Sequence, residues 1–193
     1  MTDPGVGRLL VASLHQGIAD ILPGRLEFYE EWLNPAGLRD GRIGLAPMAA
    51  VLSFLRKEGS DYHVAVARAG EYTAEWMLQE VSPLRRRVVA AAPRWLRMRL
   101  VAGMARRLVR RTYGGSRIVV RWRQGRAAVD LRGSLFCEVR ERVPSPLCGY
   151  YAAAIRRLFR EFDGDLDVAT ETCRAVGDGG CLLAVRPGSP EAS

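Results

Sequence analysis

SPLCGYYAAAIRRLF (145–159) and, after a short gap, ETCRAVGDGGC (171–181) are the stretches on which the reading of this chain turns. Tyr151, Ile155, Leu158 and Phe162 recur at helical spacing while Arg156, Arg157 and Arg160 face away, which predicts a helix over residues 147–162. In the second stretch, strand-like residues flank GDGG (177–180), whose glycines accept the positive φ of a tight turn. The pattern predicts a hairpin of strands 167–176 and 181–186. A helix set between strands makes the class α+β rather than all-helical.

Working outward, SRIVVRWRQ (116–124) and RAAVDLR (126–132) read as strands joined at Gly125, and SLFCEVRER (134–142) alternates like a third. Everything before them has helical spacing. Helices are expected over 6–22, 25–33, from Pro47 to Gly59, over 62–81, across the triple arginine 85–87, and over 93–113, with a turn at Asn34, Pro35 and Gly37. The expected architecture is N-terminal helices packed on a small antiparallel sheet in one compact domain. Residues 1–115 would be a helical wall, 116–186 a β-β-β-α-β-β portion, and 187–193 a disordered tail.

At 193 residues and 48% hydrophobic content, the chain buries a core without disulfide staples. Four cysteines and no leader-like opening point to a reducing cytoplasmic setting, and no apolar run is long enough to span a bilayer. The net charge of +8 is regional: nothing acidic occurs between Glu80 and Asp130, while ten arginines lie between Arg85 and Arg111. Such a region reads first as a solvated arginine face on helices, and it also suits an acidic partner protein or an anionic membrane surface, which would make the protein peripheral to an inner membrane. Nucleic acid is disfavoured, because no helix-turn-helix, zinc-finger or aromatic RNA-binding signature accompanies the charge.

Cys148, Cys173 and Cys181 can meet only through folding, either to hold a metal or as small buried apolar residues. Strand alternation sets a condition. A regular two-residue turn at Asp178-Gly179 would leave Cys173 about 10 Å from Cys181 and on the opposite face, so a shared metal requires a wider loop. Cys137, inside the third expected strand, reads as core.

GSLFCEVRERVPSPLCGYYAAAIRRLF (133–159) followed by ETCRAVGDGGCLLAV (171–185) resembles the four-vinyl-reductase domain family, whose fold is related to tethering subunits of the TRAPP complex. The YYAA and RLF elements, with GRIGLAPMAAVL (41–52), are most similar to the bacteriochlorophyll 4-vinyl reductase subgroup. That resemblance implies a carrier or accessory protein for a tetrapyrrole in bacteriochlorophyll biosynthesis, and hence in photosynthesis. A homodimer and a separate partner enzyme are implied too. It also implies a structural Zn²⁺ held by three cysteines and an acid, here Cys148, Cys173, Cys181 and Glu171, although Glu171 stands one position from the expected place. One residue matters in a strand, because it sends the carboxylate to the other face unless a bulge intervenes. The alternatives are an interaction or sensor module of the same fold without pigment, and a structural-zinc ligand sensor. Stand-alone reduction is not expected, since no Gly-rich dinucleotide fingerprint lies between a strand and a helix.

A hydrophobic small molecule would need apolar walls with few polar groups. Phe54, Tyr62, Trp76, Met77, Trp95 and Met98 suit a flat ring or an ordinary core equally, and His63 or His15 could ligate a central metal. Arg68 could clamp a ligand carboxylate or pair with a neighbouring Glu.

Overall fold

A computed structural model describes residues 5–33, 44–123, 126–164 and 166–187. The turn at Asn34, Pro35 and Gly37, the joint at Gly125 and the tail from residue 188 onward lie outside the described residues. The helices are α1 Arg8–Ile21, α2 Leu26–Leu33, α3 Leu45–Leu55, α4 Ser60–Gln79, α5 Pro83–Ala91, α6 Arg94–Thr112 and α7 Gly149–Phe162. The strands are β1 Arg117–Arg123, β2 Arg126–Arg132, β3 Leu166–Thr172 and β4 Cys181–Pro187, in the order β1-β2-β4-β3 with every pairing antiparallel. The fold is α+β.

The pleat explains how the layers form. Ile118, Val120, Val129, Leu131, Leu183, Val185, Leu166 and Val168 alternate onto one face of the sheet and are all buried. α7 and α6 cover that face; α4 packs behind α7, and α1 behind α4. Close approach between helices needs small residues. A Cβ at Gly70 on α4 would stand 2.2 Å from the Tyr150 carbonyl oxygen, and one at Gly17 on α1 would stand 2.5 Å from that of Ala65. The deep core is therefore solid, with Leu10, Leu14, Val66 and Ala69 at zero exposure between these helices.

Two buried tyrosines carry polar tips into this core. The Tyr150 hydroxyl meets Thr73 Oγ1 on α4 at 2.6 Å and Ser13 Oγ on α1 at 3.2 Å. The Tyr151 hydroxyl lies 3.1 Å from Ser116 Oγ ahead of β1 and receives a bond from Thr112 Oγ1 on α6 at 3.4 Å. Each hydroxyl is satisfied, as burial demands.

The third strand expected over Ser134–Arg142 does not form. Leu135–Cys137 is a single 3₁₀ turn and the chain then runs irregularly to α7, giving β-β-α-β-β in place of β-β-β-α-β-β. Arg56 supplies the reason: its Nη2 donates to the Phe136 carbonyl at 3.1 Å and to that of Glu138 at 3.5 Å, satisfying acceptors that a ladder would otherwise use. The alternation in sequence reflects packing without a strand, with the Phe136 ring stacked on Tyr150 at 4.7 Å. No helix among the described residues is long and apolar enough to cross a membrane.

Candidate metal centre and ligand cleft

Four thiols converge at one end of the sheet. Cys137 closes the 3₁₀ turn, Cys148 is the N-cap of α7, Cys173 follows β3 and Cys181 opens β4. All are buried and unbridged. Their sulfurs lie within 4.8 Å of one another. Cys137 Sγ is 3.2 Å from Cys148 Sγ, 3.5 Å from Cys173 Sγ and 3.6 Å from Cys181 Sγ, and Cys148 and Cys173 are 3.4 Å apart. A disulfide would bring two sulfurs to about 2 Å. Four thiolates around one tetrahedral ion with bonds of about 2.3 Å would stand about 3.8 Å apart, close to the spacing seen.

The local chain explains the convergence. In β3, Thr170 pairs with Leu183 and Thr172 with Leu182, so Glu171 is the extra residue of a β-bulge. The bulge resets the alternation just before Cys173. Beyond it, Arg174–Val176 forms a 3₁₀ turn and Gly177 takes φ 104, a left-handed conformation that favours glycine. The Cys173 amide donates to Asp178 Oδ2 at 2.8 Å, closing the loop. This is the wider loop that a shared ion requires, and it brings Cys173 beside Cys181.

Backbone amides support the sulfurs: Leu147 N donates to Cys173 Sγ and Arg174 N to Cys181 Sγ, each at 3.4 Å. Hydrogen bonds with Cys137 and Cys148, aided by the Arg174 amide, hold the Cys181 thiol well below its ordinary range. Those with Cys137 and Cys181, together with burial, push Cys148 well above it. Four converging sulfurs, two of them accepting from backbone amides, are an arrangement suited to receiving a cation. Burial pushes the Tyr62 hydroxyl up, the Arg56 guanidinium beside it opposes that, and the hydroxyl is close enough to feel charge on Cys137 and Cys148.

Glu171 is not part of the cluster. Its carboxylate pairs with Arg186 on the exposed side of the hairpin, and Cys137 occupies the fourth place. Cys137 is core by burial, at 5% exposure, and a member of the thiol set as well.

At the other end of β4 the sheet and α6 diverge. There a cleft of about 500 Å³ is lined by Trp95, Met98, Trp122, Ala127, Leu166 and Val185, with Arg94, Arg99 and Pro187. The sheet residues belong to the core-facing side, with Trp122 paired to Ala127 and Ala127 to Val185, so the cleft is the unfilled end of the core itself. Trp95 and Met98 thus line it. The remaining ligand candidates lie elsewhere. Phe54 packs against Phe28 and Trp32, and Tyr62 is beside the thiols. His63 Nε2 meets Ser145 Oγ at 3.0 Å, while His15 Nε2 pairs with Glu30 at 2.8 Å. Arg68 bonds Asp20, Glu71 and the Tyr72 hydroxyl, and Trp76 stacks on Tyr72. Met77 borders a second, more basic cleft of about 520 Å³ with Glu80, Arg85, Arg99, Arg107 and Arg111. Trp122 and Val185 had a visible signal, the alternation of their strands; what no spacing shows is that α6 leaves that end of the sheet uncovered.

No family model matches the chain, and no curated protein matches it. Solved structures do. The phenol-responsive sensory domain of the transcription activator PoxR, with phenol, aligns at TM-score 0.51 and 13% identity over 75% of each chain. An H-NOX protein from S. oneidensis in its Fe(II)NO ligation state aligns at TM-score 0.57 and 12% identity over 95% of this chain and 99% of that one. A mutant H-NOX protein of that organism in the Fe(II) state aligns at TM-score 0.58 and 12% identity, over 96% and 98%. At such identities the likeness is one of fold. These findings overturn the resemblance to four-vinyl-reductase domains and TRAPP tethers: the motif residues are ordinary helix, loop and thiol positions of a fold similar to those of the PoxR phenol-responsive domain and the H-NOX proteins.

Proposed function

We propose that this chain is a small-molecule-sensing module whose ligand, an apolar or aromatic compound, occupies the cleft between α6 and the sheet. The observation that carries this reading is the cleft itself: about 500 Å³, walled by Trp95, Met98, Trp122, Leu166 and Val185 at the end of the sheet. Its size and apolar lining suit a small ring compound, and similarity of fold to a phenol-responsive domain supports it. Titration of phenol and naphthol against tryptophan fluorescence is expected to saturate. Trp122→Ala, which removes one wall, should weaken binding about tenfold through lost aromatic contact. Unchanged fluorescence with every aromatic compound tried would sink the reading.

An iron centre of the kind named for the H-NOX structures does not fit this chain's histidines, since both are engaged away from the cleft, with Glu30 and with Ser145. A Soret band in protein made alongside pigment synthesis would bring the tetrapyrrole reading back.

The thiol set is a structural centre in this reading, and Zn²⁺ is the ion that four thiolates at this spacing suit best. When bound, it supplies charge neutralisation and a rigid tie between four segments. Which side chain fills the fourth place is testable by substitution. The Glu171 carboxylate pairs with Arg186 away from the sulfurs, so Glu171→Ala is expected to keep stoichiometric zinc, whereas Cys137→Ser, which removes the fourth sulfur, is expected to lose it. Equal zinc contents in the two would contradict the geometry.

A further inference from the structure

We infer that the outer face of α5 and the first turns of α6 dock on an anionic lipid bilayer, with the mouth of the cleft against the lipid. α5 buries only Val89. Leu84 and Val88, one turn apart on one side, are 73% and 60% exposed, and Trp95, at the start of α6, is 63% exposed. A helix this short does not sustain itself in water, and an apolar stripe so open calls for cover.

Charge identifies the cover. No acidic residue occurs from 81 to 129. On this face Arg85 and Arg87 are exposed, and no ion pair is found for them among the described residues; Arg106 and Arg110, exposed toward the far end of α6, lie outside it, and Arg86, Arg94, Arg97 and Arg111 already meet Glu161, Asp163 or Glu80. Arg99 lies over the Trp95 ring at 5.5 Å. Apolar and tryptophan side chains interleaved with arginine match the boundary between acyl chains and anionic headgroups. A second copy of this chain is a poorer occupant, because a two-fold contact would bring like arginines together. Duplex DNA would leave Leu84 and Val88 without an apolar partner. Adsorption on the surface, rather than insertion across it, agrees with the absence of a spanning helix among the described residues.

Trp95 joins this face to the cleft, so a ligand dissolved in lipid would enter without crossing water. That last step rests on the ligand reading above, whereas the docking does not. Co-sedimentation of the whole protein with vesicles of equal phosphatidylglycerol and phosphatidylcholine tests it, beside pure phosphatidylcholine vesicles and duplex DNA. Binding is expected to the anionic vesicles alone, to fall with salt, and to shift tryptophan emission to the blue. The shift should shrink in Trp95→Phe. Arg85→Gln with Arg87→Gln should weaken partition about twenty-five-fold, at about fivefold for each charge near the surface. Leu84→Ser with Val88→Ser should weaken it at least about tenfold. All four residues are exposed, so circular dichroism should be unchanged. Docking is overturned if anionic vesicles do not bind, if the serine pair binds like wild type, or if DNA competes the vesicles away. A failed docking test with an intact phenol titration would leave the ligand reading standing, and the converse would leave the docking.

Discussion

Replacing Cys181 by serine is expected to lower the thermal midpoint of the zinc-loaded protein by about 10 °C, and to abolish the response of that midpoint to a chelator. The magnitude follows from what the four sulfurs join. Cys137, Cys148, Cys173 and Cys181 come from four segments with little regular structure of their own between residues 133 and 148 and between 173 and 180. Without an ion, four buried sulfurs must share protons in a space sized for four thiolates. Structural zinc contributes on the order of 10 kcal/mol in peptides with almost no other core. Here a large apolar core stands independently, so a loss of about 3–5 kcal/mol is the expected scale, and at this chain length each kcal/mol moves the midpoint by about 2–4 °C. Scanning calorimetry of wild type and variant, each with and without a chelator, checks it. A wild-type midpoint indifferent to the chelator, with metal below stoichiometry, would mean that the sulfurs are only packing.

Gly70→Ala is expected to cost about 3 kcal/mol although it adds one methyl group. The new Cβ would stand 2.2 Å from the Tyr150 carbonyl oxygen, 3.0 Å from its carbon and 3.1 Å from the Ala154 nitrogen. All three are backbone atoms of α7, so no side chain can move aside; α4 and α7 must separate, and the packing between them is lost. Gly103→Ala provides the matched control, because a Cβ there meets nothing within 4 Å. At that exposed position in α6 the same substitution should stabilise by about 0.5–1 kcal/mol through helix propensity alone. Chemical denaturation of the two variants side by side should give opposite signs. Two small effects of the same sign would show that the helices are not in this contact.

Helices and the hairpin were readable because their signals are local. The 3.6-residue spacing of α1, α4, α6 and α7 and the glycines of GDGG act within a few residues, and boundaries fell within two or three positions apart from β3, whose expected strand runs on into the 3₁₀ turn. The segment 134–142 misled for a physical reason: alternation reports which residues are buried, not whether a ladder supplies the hydrogen bonds, and here Arg56 supplies them from α3's end, some eighty residues away. The thiol site was legible in part. Cys148, Cys173 and Cys181 stood out by type, whereas the place of Cys137 depended on the strand that does not form. Glu171 was attractive as an acid near a thiol, yet its work is done by its backbone, as the bulge, while its carboxylate serves Arg186. The cleft was least legible, because it exists only where α6 and the sheet fail to close.

The neighbouring tyrosines of α7 have a consequence for that helix as a rigid body. Successive side chains on a helix point about 100° apart, so Tyr150 and Tyr151 key α7 in two directions, one hydroxyl into Ser13 and Thr73, the other into Thr112 and Ser116. Rotating or sliding the helix would strand both tips at once in a dry interior. A shaft keyed at two angles has one setting. Since Cys148 caps that shaft, its sulfur is aimed at the other three before any ion arrives.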